Sequence, residues 1–331
     1  MSQRLAGRKP ATDVQFSRTV ERALVHRAAV AEVFVTDMRK VGEDRYLAGA
    51  QLPLSHAYYS DHRQTPRLFD PLLLLEASRQ AAVYGAHTHL GIPLSTSFLV
   101  NSLSVVFNDA TALRMGGHPG ELHLATSYPA VRRRGDEFRA VGVSQDLYLD
   151  GRPSGRVTMS VSSMSPKQYR ALRYLQRDSE PPTTERAPLT AGVAAAAAAV
   201  ARESALNVVV SRPVPEGEEV RAALVPRYDN RSLFDHTYDH VPAMVLAEGA
   251  RQLALLAVAD TGVPVERTWI SDCSARFLRF AELDQPVLLS APRRPAAEAG
   301  FHQVPVRLRH HDTEIAEISV TVATLPEEGM S

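Results

Sequence analysis

The chain writes one phrase twice. At Glu76-Ala77-Ser78-Arg79-Gln80 and again at Glu248-Gly249-Ala250-Arg251-Gln252, an acid, an arginine and a glutamine stand at i, i+3 and i+4. Each triplet follows an apolar run led by proline, Asp70-Pro71 to Leu75 in the first copy and Val241-Pro242 to Ala247 in the second. Each run is entered from a stretch rich in His, Asp and aromatics, and each is followed by Gly-x-Pro, as Gly91-Ile92-Pro93 and Gly262-Val263-Pro264. Proline in a first turn and Gly with Pro past the end are helix start and stop signals. One fold unit has therefore been duplicated at an offset of 172 residues, and each copy holds one long helix. A helix that is apolar nearly all round is buried. Charged residues on such a helix mark the place where function concentrates.

Strand signals surround each helix. In the first copy they fall at Val30 to Val35, Tyr46 to Leu52, Glu121 to Arg133, Phe138 to Leu149 and Arg156 to Ser163, with turns at Val41-Gly42-Glu43-Asp44, Gly135-Asp136 and Asp150-Gly151. In the second they fall at Asn207 to Arg212, Val220 to Pro226, Arg276 to Phe280, Val287 to Arg293, His302 to His310 and Ile315 to Ala323. One long helix with many antiparallel strands is buried most simply by wrapping the sheet around it. The expectation is an α+β chain, a tandem double hot-dog in which each unit is a long buried helix wrapped by a curved antiparallel sheet. Expected boundaries are a disordered N-terminus over 1–18, unit 1 over 19–164, a linker over 165–204 and unit 2 over 205–326. The polyalanine of Thr190 to Glu203 predicts a short connecting helix in that linker.

At 331 residues and 44% hydrophobic, the chain can fill two cores. Basic and acidic residues balance at 37 each, which gives no general attraction to nucleic acid or to an anionic membrane. Lysine appears only as Lys9, Lys40 and Lys167, so arginine carries nearly all the positive charge. Cys273 is the sole cysteine, which excludes an intrachain disulfide. No apolar run approaches the roughly 20 residues of a membrane span, and no secretory h-region opens the chain. A soluble cytoplasmic protein is expected, without nucleic-acid or membrane partners.

The second repeat resembles the hot-dog acyl-carrier-protein dehydratases, in which Pro-Gly opens the helix and a Glu six residues after that Pro is followed by Gln. Pro242, Glu248 and Gln252 keep that spacing, with Ala243 in place of the Gly. The whole chain is more specifically similar to the A-factor biosynthesis (AfsA-type) family of double hot-dog proteins, over roughly residues 20–325. The residues that carry this are Val25-His26-Arg27, Ala31-Glu32-Val33, Leu52-Pro53 with Ser55-His56, Asp70 to Leu75 with Glu76 and Arg79-Gln80, Asn207-Val208-Val209, Phe234-Asp235-His236, Asp239-His240-Val241-Pro242, and Glu248 with Arg251-Gln252.

This resemblance implies a synthase of γ-butyrolactone-type signals. A β-ketoacyl group passes from acyl carrier protein, or another acyl thioester, to the hydroxyl of dihydroxyacetone phosphate, and no cofactor or metal is required. It also implies a monomeric pseudo-dimer or a homodimer. Hot-dog dehydratase sites join a His of one unit to the Glu of the other, which would pair His56 or His62 with Glu248, and His236 or His240 with Glu76.

Acyl transfer needs a base, oxyanion donors and a dry acyl pocket. Glu76 and Glu248 are the candidate bases, since burial raises a carboxyl pKa. His56, His236 and His240 are further catalytic candidates and rank above His62. Arg79 and Arg251 can take a phosphate bidentately, with Gln80 and Gln252 beside them. The helix N-terminus at Ala243 and Met244 offers free N–H groups to a thioester oxygen. Asp70, Asp235 and Asp239 are N-cap or His-orienting candidates, with simple capping the role of Asp70, and Asp235 and Asp239 join Gln80, Gln252, Ala243 and Met244 as expected substrate-binding residues.

The plainer reading of each Glu–Arg pair is an intrahelical ion pair, and the two readings are compatible. Arg132-Arg133-Arg134 reads as a solvated hairpin tip. His87, His89, His310 and His311 read as surface histidines, because no Cys or carboxylate stands at ligand spacing. Cys273 reads as structural. Two rival functions are a dehydratase or thioesterase on acyl thioesters, and a non-catalytic ligand-binding regulator.

Overall fold

The computed structural model describes residues 14–135, 137–188 and 192–325. The chain forms two compact units. The first runs up to Ser55 and resumes over Phe69–Pro181; the second takes His56–Leu68 and the chain from Pro182 onward.

In the first unit, β1 (Val35–Gly42) and β2 (Arg45–Leu52) precede helix α1 (Pro71–Thr88). Then come β3 (Ser97–Phe107), β4 (Gly120–Arg134), β5 (Glu137–Leu149), β6 (Arg152–Met164) and helix α2 (Pro166–Arg177). The strands lie in the order β1-β2-β4-β5-β6-β3, and every neighbouring pair is antiparallel. The β5–β6 hairpin turns at Asp150-Gly151, both at positive φ (48° and 78°), a conformation that Asp and Gly tolerate. Helix α1 packs close to its sheet. Tyr128 Oη donates to Ala82 O at 3.0 Å and Gln145 Nε2 to Ser78 O at 3.1 Å. A Cβ on Gly85 would fall 2.1 Å from the Tyr128 hydroxyl, so only glycine permits this approach.

The second unit repeats the plan. Strands β7 (Val214–Glu216) and β8 (Glu219–Ala223) precede helix α3 (Ala243–Ala259), and β9 (Thr268–Phe277), β10 (Leu288–Pro292), β11 (Ala297–Glu298), β12 (Phe301–His310) and β13 (Thr313–Thr324) follow. The order is β9-β13-β12-β10-β8-β7, antiparallel throughout, with β11 paired to β12. In β12, His302, Val304, Val306, Leu308 and His310 are buried while the residues between them are exposed, the period of two of a half-buried strand. Gly249 lies against Leu224 and Leu289 of this unit, a close approach of helix to sheet. Each unit is thus one buried helix in a curved antiparallel sheet, the hot-dog arrangement.

Several expectations fail for physical reasons. The strand expected at Val30 to Val35 begins only at Val35, and Val30–Glu32 is a 3-10 turn. The Gln80 side chain accepts from Phe34 N (2.9 Å) and donates to Glu32 O (2.7 Å), occupying groups that strand pairing would use. The strand expected from Asn207 to Arg212 fails likewise. Gln252 accepts from Val209 N and donates to Asn207 O, and only the isolated bridges of Val210 and Ser211 form. The polyalanine segment is not an α-helix but a 3-10 turn, Ala197–Val200, because Ala195 N and Arg212 N pair with Val210 O and Val193 O. Residues 190 and 191 of that expected helix lie outside the described residues. The linker instead holds α2, closed at its start by a Ser165/Gln168 capping box.

Strand β3 was not foreseen, because its serines break the apolar pattern. The expected disorder of 1–18 lies outside the described residues up to 13; beyond them Val14 is buried and Phe16 meets His123 edge-on. No helix among the described residues is long and apolar enough to cross a membrane.

Candidate active site

Each helix carries its Glu into the core, where arginines meet it. In the first unit Glu76 is fully buried. Arg79, one turn on, grips it as a fork, with Nε on Oε2 at 2.8 Å and Nη2 on Oε1 at 2.7 Å. Arg27 reaches Oε1 from outside the helix, through Nε at 3.1 Å and Nη2 at 2.5 Å, and Gln80 Nε2 adds a bond to Oε1 at 2.7 Å. Burial pushes the Glu76 carboxyl up, but the charges of Arg27 and Arg79 and their hydrogen bonds together hold it down at about 2. Glu76 is therefore a fixed anion. The expectation that burial raises this carboxyl fails here, because two guanidiniums outweigh desolvation.

The second unit builds the same hub with one addition. Arg202 donates to Glu248 Oε1 through Nε at 3.2 Å and Nη2 at 2.8 Å, Gln252 Nε2 to Oε1 at 2.5 Å, and Arg251 pairs with Oε2. Tyr58 Oη donates to Oε2 at 2.8 Å. Arg202 lies 4.4 Å over the Tyr58 ring and donates through Nη1 to Tyr58 O at 2.7 Å. Among the described residues Glu76 receives only arginine and glutamine donors, so the phenol distinguishes the second hub.

The sequence reading missed Arg27, Arg202 and Tyr58. Each arginine follows a 3-10 turn that ends on a left-handed residue, His26 (φ 54°) or Ala201 (φ 55°). Aligning Ala31-Glu32-Val33 with Leu206-Asn207-Val208 places Arg27 over Arg202 at an offset of 175 rather than 172. The segment 56–68, expected in the first unit, belongs to the second. Asp61 accepts from Ser204 N and Asn207 Nδ2, and Arg63 N donates to Ala201 O.

Gln80 and Gln252 were expected to bind substrate. Each is fully buried, each donates to its Glu and to a backbone carbonyl, and each accepts from a backbone N–H. With both amide hydrogens and the oxygen so engaged, they position the Glu and the preceding segment. The Arg79 side chain is 23% exposed and that of Arg251 only 6%.

The helix starts differ. Asp70 caps α1, accepting from Leu72 N at 2.8 Å. Helix α3 opens after Pro242 with no side-chain cap at the half-buried Ala243 and Met244. An oxyanion at the first start would face a carboxylate; at the second it would meet amides and the positive dipole end. Glu248 lies five residues from Ala243, about 7.5 Å along the axis.

The candidate histidines His56, His236 and His240 all lie in the unit of Glu248. His56 Nδ1 accepts from Tyr58 N and Tyr59 N at 3.2 Å, which fixes the loop that presents Tyr58. His62 Nε2 lies 3.4 Å from Arg202 Nη1. His236 and His240 each bond through Nδ1, at 2.6 Å, to Asp235 and Asp239. His87 and His310, read as surface residues, are buried. His87 Nδ1 bonds Ile92 O, and His310 Nε2 accepts from Glu282 N. Burial pushes the Cys273 thiol up to about 12, as suits an unreactive core residue. Among the described residues no cluster of three His, Cys, Asp or Glu could hold a metal.

Fold and site together define a tandem hot-dog protein with a buried, arginine-clamped carboxylate in each unit. Residues 9–165 and 183–326 match the family model of the A-factor biosynthesis hotdog domain, and the chain belongs to that family. It is 34% identical, over 90% of its length and 95% of the relative's, to 2-oxo-3-(phosphooxy)propyl 3-oxoalkanoate synthase of Streptomyces virginiae. It is 32% identical, over 87% of its length and 89% of the relative's, to the protein of that name from Streptomyces griseus. A putative thioesterase of Novosphingobium aromaticivorans aligns over 88% of this chain and 98% of its own at 16% identity, with a TM-score of 0.48.

Proposed function

We propose that this chain has the activity named for its relatives, forming a 2-oxo-3-(phosphooxy)propyl 3-oxoalkanoate. The free hydroxyl of dihydroxyacetone phosphate attacks the carbonyl carbon of a 3-oxoacyl thioester carried by acyl carrier protein. A C–O bond forms, the C–S bond breaks, and the thiol leaves with the proton. The ester then closes to the precursor of a γ-butyrolactone-type signal.

Beside the family relationship, one observation carries this reading. Glu248, with a phenol and two arginines on it, lies on the helix whose first amides have no side-chain cap. In this reading Glu248 takes the proton, the N–H groups of Ala243 and Met244 receive the oxyanion, and Arg251 is the phosphate candidate of that unit, as Arg79 is of the first. His56 holds the Tyr58 loop. His236 and His240, oriented by Asp235 and Asp239, are the candidate carriers for proton exchange with solvent. Glu76 serves as the structural counterpart.

The test is incubation of the protein with 3-oxoacyl carrier proteins of several chain lengths and dihydroxyacetone phosphate, followed by mass spectrometry. The expected result is a phosphorylated ester or butenolide that requires both substrates, reduced at least about 100-fold by Glu248→Gln. Thioester consumed at the same rate without the triose phosphate, or no product at any chain length, overturns the proposal.

A further inference from the structure

We propose that Tyr58 is the group that meets the attacking hydroxyl, and that Glu248 receives the proton only through it. This rests on the acyl-transfer reading above. Hydrogen bonds from Arg202 Nε, Arg202 Nη2 and Gln252 Nε2 reach Glu248 Oε1, one from Tyr58 Oη reaches Oε2, and Arg251 Nη2 forms an ion pair with Oε2. A carboxylate offers about four lone-pair sites, so a substrate hydroxyl can bond Glu248 directly only by displacing one of these donors. Arg202 and Gln252 are pinned at their other ends, to Tyr58 O and to Asn207 O.

Tyr58 differs in kind from the nitrogen groups around Glu248. A guanidinium or amide nitrogen has no lone pair for an incoming proton, whereas a phenol oxygen can accept while it donates. The substrate O–H proton therefore passes to Tyr58 Oη as the phenol's own proton passes to Glu248 Oε2. The substrate oxygen bonds the carbonyl carbon, and the π pair moves onto the carbonyl oxygen. When that oxyanion collapses, the C–S bond breaks, and the proton on Glu248 returns through Tyr58 to the thiolate sulfur. No proton is left over.

The phenol is held for this role before substrate arrives. Tyr58 is 2% exposed, its ring lies under Arg202, its carbonyl accepts from Arg202 Nη1, and its N–H donates to His56 Nδ1. A donor fixed in a dry site needs no reorganisation during reaction. The first hub has no such relay among the described residues, since Glu76 receives only Arg27, Arg79 and Gln80. The duplicated triplet thus carries one carboxylate with a phenol relay and one without.

The experiment compares steady-state kinetics of the native chain, Tyr58→Phe, Glu248→Gln and the double variant. Tyr58→Phe keeps the ring under Arg202, and kcat is expected to fall at least about 100-fold with KM within about threefold. Because both residues act in one relay, the double variant is expected to be no slower than the slower single variant. A second measurement replaces Tyr58 with 3-fluorotyrosine, which packs alike and has a more acidic hydroxyl, and the pH–rate profile is expected to move to lower pH. A Tyr58→Phe rate within about threefold of native, losses that multiply in the double variant, or an unmoved fluorotyrosine profile overturns the relay alone. No product from the native chain overturns the acyl-transfer reading and the relay with it.

Discussion

Replacing Arg27 by methionine isolates what the first hub contributes. The substitution keeps an apolar stem and removes the guanidinium from a carboxylate with no solvent access. Glu76 is held at about 2 against an ordinary 4.5, which amounts to about 3 kcal/mol of stability at neutral pH. The sign follows from the depressed folded value. That stability is present in full above pH 4.5 and drains away as pH falls toward 2. Removing one partner of a buried pair costs about 3–5 kcal/mol when nothing replaces it. Arg79 and Gln80 stay, so Arg27→Met is expected to cost about 2–3 kcal/mol at pH 7. With less opposing burial, the variant's Glu76 titrates higher, so its stability falls less between pH 4.5 and 2. Urea unfolding followed by circular dichroism at pH 7 and pH 3 measures both quantities. The gap between native and variant should narrow at pH 3. A loss under about 1 kcal/mol at pH 7 shows that the ion cluster does not hold the turn to the helix. An equal gap at both pH values shows that the loss comes from packing of the stem rather than from charge.

Three further outcomes are expected. Gly85→Val drives a side chain into the Tyr128 hydroxyl and Met38, and thermal melting should show a loss of about 1–3 kcal/mol or more. Cys273, buried and with its thiol pushed up to about 12, should resist a disulfide reagent at pH 8 in the native state and react at once in urea. His310 is held below its ordinary 6.5, by burial first, so its contribution is whole above pH 6.5 and is lost as pH falls through the lowered value. His310→Gln should therefore flatten the dependence of stability on pH between 6.5 and 5.

Helices α1 and α3 and the long hairpins were legible because local signals agreed there. Asp-Pro and Gly-x-Pro bracket one helix, and Asp150-Gly151 suits its turn. The polyalanine segment misled, because helix propensity is weak beside a demand for Arg202 to reach Glu248. Likewise, Val30 to Val35 has the residues of a strand, yet Gln80, distant in sequence, takes its backbone groups. The site divided along the same line. Glu76 and Arg79 share α1, Glu248 and Arg251 share α3, and so each pair shares a motif. Arg27, Arg202 and Tyr58 come from turns and loops whose partners only the tertiary fold supplies. Tyr58 has no repeat to betray it.

The distance along the chain from each hub arginine to its Glu is 49 residues in the first copy and 46 in the second. Closing a loop costs entropy that grows only with the logarithm of its length, so those three residues change the cost by about 0.06 kcal/mol. The ion cluster is thus nearly indifferent to how much chain runs between its parts. After duplication, insertions between turn and helix were close to thermodynamically free in each copy, and the two halves could drift in length while both clamps stayed shut. The same closure makes assembly order matter. A bond spanning nearly fifty residues forms only once the helix and its sheet have come together, so these clamps should lock late in folding and act chiefly to slow unfolding.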